Sequence, residues 1–161
     1  MHAGRAQALA LAGRFAEAER SVRRVQEVTD RMPATVLAAA DSIFGWPEHR
    51  LRHTESYVYT HTGNTQAAMA AQEQTLSLYP ESHIRLRTQV QLHRAVCLIK
   101  DGHVGDGLRY AATLIDELPR EHHTAILYEV AWKVVAAVPV EERRRVEVQQ
   151  MRERLAESAS E

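Results

Sequence analysis

The sequence predicts an all-α protein built from helical hairpins, and two observations predict it. The 161 residues include 24 alanines but only seven glycines and five prolines, and aromatic residues make up 6%. This composition favours helices, whereas β-sandwiches and barrels need more turns and more β-branched residues. The second observation is that the few glycines and prolines recur at matching positions. The composition by itself nearly excludes an all-β fold and disfavours an α/β fold.

The recurring pattern is a glycine followed five residues later by a small residue. It occurs at Gly13/Ala18, Gly63/Ala68 and Gly102/Gly107. Pro80 follows Gly63 by 17 residues and Pro119 follows Gly102 by 17 residues, so the second and third copies share a 39-residue period. A left-handed glycine ends the first helix, a small residue lets the helices approach, and a proline closes the second helix. Each copy is therefore predicted to be a helical hairpin that buries its apolar face by stacking on the next.

The pattern and the remaining breakers predict helices in order along a single domain spanning residues 1–161. They are placed at 3–12, 16–30, 48–61, 65–78, 83–100, 104–117, 122–137 and 141–157. Residues 34–41 are predicted to be a short helix or a loop. An apolar connector, 43–46, follows and stops at Pro47, which opens the next helix at its first turn. The mixed charges of 141–157 predict a terminal cap, and 158–161 are predicted to fray.

The predicted helix order places four aromatic residues in two regions, the connector and the last hairpin. Gly13 and Gly63 are 50 residues apart rather than 39, and Phe44 and Trp46, which flank the connector, are predicted to fill the gap that this longer spacing leaves. Tyr128 and Trp132 lie one helical turn apart, and packing in the core of the last hairpin is the preferred interpretation for both.

Charge and cysteine content exclude several classes of function. With 20 basic and 21 acidic residues, the chain lacks the basic excess of a general nucleic-acid coat. A single cysteine, Cys97, excludes an intramolecular disulfide and a multi-cysteine zinc site.

No apolar run approaches the roughly 18 residues needed to cross a membrane. The N-terminal segment is interrupted by Arg5 and Arg14 and is interpreted as an amphipathic helix rather than a secretion signal. A reducing, cytoplasmic location is expected.

Several repeat positions carry a resemblance to a known repeat family. In the second repeat they are Gly63, Asn64, Ala68 and the run 72–80; in the third they are Ala95, Leu98, Gly102, Gly107, Leu114 and Pro119. These segments resemble a tetratricopeptide (TPR) array, which implies an α-α superhelix of about four irregular repeats. The chain departs from the family pattern at Arg52, where the family has a bulky residue, and in its period of 39 rather than 34 residues.

A narrower resemblance rests on residues 44–61 (FGWPEHRLRHTESYVYTH), residues 92–99 and the arginine-rich last helix. Across roughly residues 5–157 the chain is similar to the TPR half of large actinomycete helix-turn-helix regulators of the XRE type. In those proteins the array follows a DNA-binding domain and is thought to sense a ligand or mediate dimerisation. No helix-turn-helix can be placed before residue 30, so no direct nucleic-acid binding by this chain is expected.

The resemblance and the architecture predict a non-enzymatic interaction and regulatory module that binds a peptide or protein partner in a groove. The first helix of each hairpin would line the concave side. The residues predicted to line it are Arg50, His53, Tyr57 and His61 in the second repeat and Gln89, Leu92 and Val96 in the third. A guanidinium and aromatic rings on one stripe suit a peptide with a carboxylate. Two alternatives stay open: Tyr57 and His53 pack against a neighbouring hairpin, or the chain is an adaptor that mediates homodimerisation.

Other chemistry has weaker support in the sequence. His49 and His53 are four residues apart and could coordinate a metal ion, but a stable site needs a third ligand. Cys97 lies in an apolar run and is predicted to be buried. The glycines at 102–107 follow a helix rather than a strand, unlike a phosphate-binding loop. No catalytic residue, metal or cofactor is therefore predicted.

Overall fold

The computed structural model describes residues 2–39 and 45–158, and these ranges contain helices and connections but no strand. The all-α prediction is confirmed. The helices are α1 His2–Leu11, α2 Phe15–Thr29, α3 Ala34–Ala38, α4 Glu48–Thr62, α5 Thr65–Leu78, α6 Ile84–Lys100, α7 Val104–Asp116, α8 Ala125–Ala136 and α9 Val146–Ser158. None of the helices in these ranges combines the length and apolarity required to cross a bilayer.

The three hairpin turns form at the three predicted glycines. Gly13, Gly63 and Gly102 have φ values of 72°, 83° and 90°, the left-handed region that side chains with a Cβ rarely adopt. At the second turn the Gly63 N–H donates to the Tyr59 carbonyl over 3.1 Å, which ends α4. Asn64 then begins α5, because its side-chain oxygen accepts a hydrogen bond from the Ala67 N–H.

Small residues occupy the predicted points of close approach between paired helices. Ala18 and Ala68 are fully buried. At Gly107 a Cβ would lie 2.6 Å from Ile99 Cγ1 and 2.7 Å from the Ala95 carbonyl oxygen. Helix α7 therefore approaches α6 more closely than any side chain at position 107 would allow.

The fold divides into two compact units, which meet in sequence at Pro80. In the first unit, α1 pairs with α2, α4 pairs with α5, and α4 also packs against both α1 and α2. The apolar core of this unit lies between α1, α2 and α4. Its buried members are Ala6, Leu9, Ala10, Ala18, Val22 and Val58.

In the second unit, α6 pairs with α7, and α8 packs against both of them. Helix α9 contacts α7 and α8. The core runs through all four helices and includes Leu92, Leu108, Leu127 and Met151, each at most 2% exposed. The assignment of the whole chain to one domain stays a prediction.

The last two helices begin later than predicted, and prolines explain the difference. Helix α8 begins at Ala125 rather than 122, and α9 begins at Val146 rather than 141. After Pro119 and Pro139 the chain first makes single 3-10 turns, Arg120–His122 and Val140–Glu142. Thr124 then starts α8, because its side chain accepts a hydrogen bond from the Leu127 N–H.

The core assignment of Tyr128 is confirmed by its burial, whereas the gap-filling assignment of Trp46 stays a prediction. Tyr128 is buried in the core of the second unit, and the Trp46 indole N–H donates to Thr29 Oγ over 2.8 Å at the end of α2. The core assignment of Trp132 is wrong, because its side chain is 38% exposed on α8. Three predictions concern residues outside the described ranges: Phe44, the end of the 34–41 segment, and residues 159–161, which are predicted to fray.

Candidate functional site

Helix α4 carries the four groove residues predicted from the second repeat. Arg50, His53, Tyr57 and His61 follow one another at helical spacing, so they share one face of α4, and each is partly exposed. Pro47 precedes the helix with φ −65°, a value already suited to the first turn. The helical spacing in the sequence therefore determines that these side chains share one face of α4, and the packing of α4 determines what each side chain contacts.

Arg50 is held by the connector that precedes α4. Its Nη1 donates to the Gly45 carbonyl over 2.7 Å. This hydrogen bond fixes part of the guanidinium near the N-terminal end of the row. The same positive charge lies close enough to Tyr79 to oppose the rise of that residue's pKa.

His53 packs against Tyr79, which is buried at the end of α5. His53 Nδ1 lies 3.0 Å from Tyr79 Oη, and the His49 ring centroid lies 5.1 Å from that of Tyr79. Burial, with a smaller effect from His49, lowers the pKa of His53 to about 4. His53 is therefore neutral at pH 7. The contact between His53 and Tyr79 lies within the α4–α5 hairpin.

Burial also raises the pKa of Tyr79 to about 12, so the phenol keeps its proton. Both histidines of the i, i+4 pair thus face the same tyrosine ring. The ranges 2–39 and 45–158 contain no group of three His, Cys, Asp or Glu side chains able to hold a metal ion.

Tyr57 and His61 form a stacked pair further along α4. Their ring centroids are 4.2 Å apart with an interplanar angle of 26°. His61 Nδ1 lies 2.8 Å from the Tyr57 carbonyl oxygen, which can only accept, so Nδ1 carries the proton. Tyr57 packs against the core of the first unit, and burial raises its pKa. Its position is therefore fixed while part of the ring remains open to solvent.

The third-repeat residues do not form a matching row on α6. Gln89 is partly exposed, but Leu92 and Val96 are 0% and 5% exposed and belong to the core of the second unit. Helix α6 packs against both α7 and α8, which buries a wider part of its surface than a hairpin alone would. The placement of Leu92 and Val96 along an open groove is corrected accordingly.

Sequence reasoning missed a buried charge network between α2 and α4. Glu55 is 3% exposed; Gln26 Nε2 donates to its Oε1 over 2.7 Å, and Arg52 Nη1 to its Oε2 over 3.0 Å. Arg52 also pairs with Glu48 one turn earlier. The spacing of these α4 charges could have indicated the ion pairs. The contact with Gln26 depends on tertiary packing alone.

The α4 face offers a guanidinium, a stacked tyrosine and an imidazole, which are groups that bind ligands through charge, hydrogen bonds and aromatic contact. Cys97 is fully buried on α6, as predicted. No family model, curated protein or solved structure matches the chain.

Proposed function

We propose that the chain is a non-enzymatic, TPR-like interaction and regulatory module that binds a peptide segment along α4. The observation that carries the proposal is the partly exposed row formed by Arg50, Tyr57 and His61. An acidic group of the peptide would meet Arg50, and an apolar side chain would pack on the Tyr57–His61 stack. His53 is the residue that positions the row, because it packs on Tyr79.

Preorganisation supports this proposal. Arg50 is held by the Gly45 carbonyl, and Tyr57 is held by the core on one side and by His61 on the other. A side chain that is already ordered loses little conformational freedom when a partner binds. Tyrosine and arginine are also among the residues that most often dominate binding energy at interfaces.

The packing order of the helices also supports a repeat module. Helix α4 contacts both helices of the hairpin before it, and α8 does the same with α6 and α7. Such contacts are expected where hairpins stack to bury a continuous core. The proposed regulatory role, in which binding is passed to an associated DNA-binding partner, depends on the resemblance to XRE-type regulators.

The test is a peptide selected from a random display library against the wild-type chain, labelled and titrated by fluorescence anisotropy. Tyr57→Ala and His61→Ala are each expected to raise the Kd by about tenfold or more, because each removes one half of the stack. Glu73→Ala, at an exposed position on α5, is the matched control and should change the Kd by less than about twofold.

Circular dichroism melting of the same variants separates lost binding from lost folding. The proposal is wrong if the selected peptide binds folded Tyr57→Ala and His61→Ala as tightly as the wild type. It is equally contradicted if the library yields no peptide that binds the folded wild-type chain.

A second candidate, a homodimerising adaptor, is favoured by exposed apolar side chains in the second unit. Ile126, Val140 and Val146 are 68%, 72% and 66% exposed. Exposed apolar side chains mark an interface where they form one contiguous patch. Light scattering across a wide concentration range is expected to show a dimer that Ile126→Glu weakens. A monomer at every concentration would contradict this alternative.

A further inference from the structure

An open cleft of about 380 Å³ lies in the second unit. It is lined by Trp132, Val135, Ala136, Arg143 and Arg152. Trp132 supplies an exposed indole from α8, and Val135 supplies a buried apolar surface beside it. The cleft is within the size range of small-molecule sites, which is about 300–1,000 Å³.

The two arginines of the cleft differ from their neighbours in their ion pairing. Arg145 pairs with Glu142 and Arg154 pairs with Asp116, at 2.6 Å and 2.7 Å. In the part of the chain that the structure describes, no carboxylate lies within ion-pair distance of Arg143 or Arg152. The residues that line the cleft also include no acid.

Arg143 is nevertheless held in place. Its Nε donates to the Val138 carbonyl over 3.2 Å, just beyond the end of α8. That hydrogen bond uses the Nε of the guanidinium and leaves its two terminal amino groups as donors. Arg152 lies at the middle of α9 and brings a second arginine side chain to the same cleft.

We propose that this cleft binds a small organic acid in which a carboxylate is attached to a flat apolar ring. The ring would pack on the Trp132 indole and the Val135 surface. The carboxylate would accept hydrogen bonds from Arg143 and Arg152, since a guanidinium presents paired donors that match its two oxygens. An indole beside two guanidinium groups favours a ligand that has both an apolar ring and a carboxylate. An inorganic anion has no such ring.

The test uses phenylacetate as the probe and the Trp132 indole N–H signal in NMR as the readout, assigned by its loss in Trp132→Phe. A saturable shift is expected for the full chain at low millimolar phenylacetate. Acetate lacks the ring and benzylamine reverses the charge, so each should bind at least tenfold more weakly.

Two arginine variants make a matched pair for this experiment. Arg152→Gln removes a cleft cation and should weaken phenylacetate binding by tenfold or more. Arg144→Gln removes an exposed cation that does not line the cleft and should change binding by less than twofold. Folding of both is checked by circular dichroism.

The assignment is overturned if phenylacetate causes no saturable shift, if benzylamine binds as well as phenylacetate, or if folded Arg152→Gln binds like the wild type. It does not depend on the peptide proposal. Tyr57→Ala lies in the first unit, so it is expected to leave phenylacetate binding unchanged.

Discussion

His53 and His61, eight residues apart on α4, have different roles because their surroundings differ. His53 packs on the buried Tyr79, whereas His61 stacks on the partly exposed Tyr57 and donates to a carbonyl of its own helix. Residue type and spacing predicted that both lie on one face. They did not predict which imidazole would pack against a buried ring, since Tyr79 is brought to His53 from 26 residues further along the chain.

Burial of His53 predicts a pH-dependent stability. Its pKa is about 4 in the folded chain and about 6.5 when unfolded, so the unfolded state binds more protons between these values. Stability is therefore expected to fall as pH falls from about 6.5 to about 4, by at most about 3 kcal/mol from this residue. Urea denaturation at a series of pH values measures the effect.

Histidine variants supply the control for this pH dependence. His53→Asn removes the titrating group and should flatten part of the slope, whereas His103→Asn, at an exposed position, should preserve it. An NMR titration that placed the pKa of His53 near 6.5 would contradict the prediction.

At the scale of elements, the hairpin α6–α7 shows what a glycine can specify. Gly102 supplies the left-handed turn, and Gly107 supplies the space through which α7 approaches α6. Both features were predicted from their positions relative to the other repeats. The later starts of α8 and α9 were not, because Pro119 and Pro139 permit either a helix or a separate turn after them.

Two glycines of α7 predict opposite effects of the same substitution. Gly107→Ala should destabilise the chain by about 1–3 kcal/mol, because its Cβ would press on Ile99 and on the Ala95 backbone. Gly105→Ala meets only the flexible ends of Arg109, at 3.3 Å, and Arg145, at 3.8 Å, and should stabilise the helix by up to about 1 kcal/mol. Urea denaturation compares both with the wild type, and equal effects would contradict this account of α7.

At the scale of the whole molecule, the chain forms two compact units, each with hairpins packed on one another. In the first unit the charged network of Gln26, Arg52 and Glu55 joins α2 to α4 beside the apolar core. In the second unit the core occupies the space between four helices, and Trp132 remains outside it. The candidate sites lie on surfaces that this packing leaves open.

The sequence by itself determined the helical class, the three glycine turns and the small residues at the helix contacts. These features are local, since a left-handed φ and a close contact between helices each restrict the residue at one position. Only the tertiary structure decided that Leu92 and Val96 are buried, that Trp132 is exposed, and that Arg143 and Arg152 share a cleft. Exposure depends on which helices pack against a residue, and periodicity along one helix does not specify those neighbours.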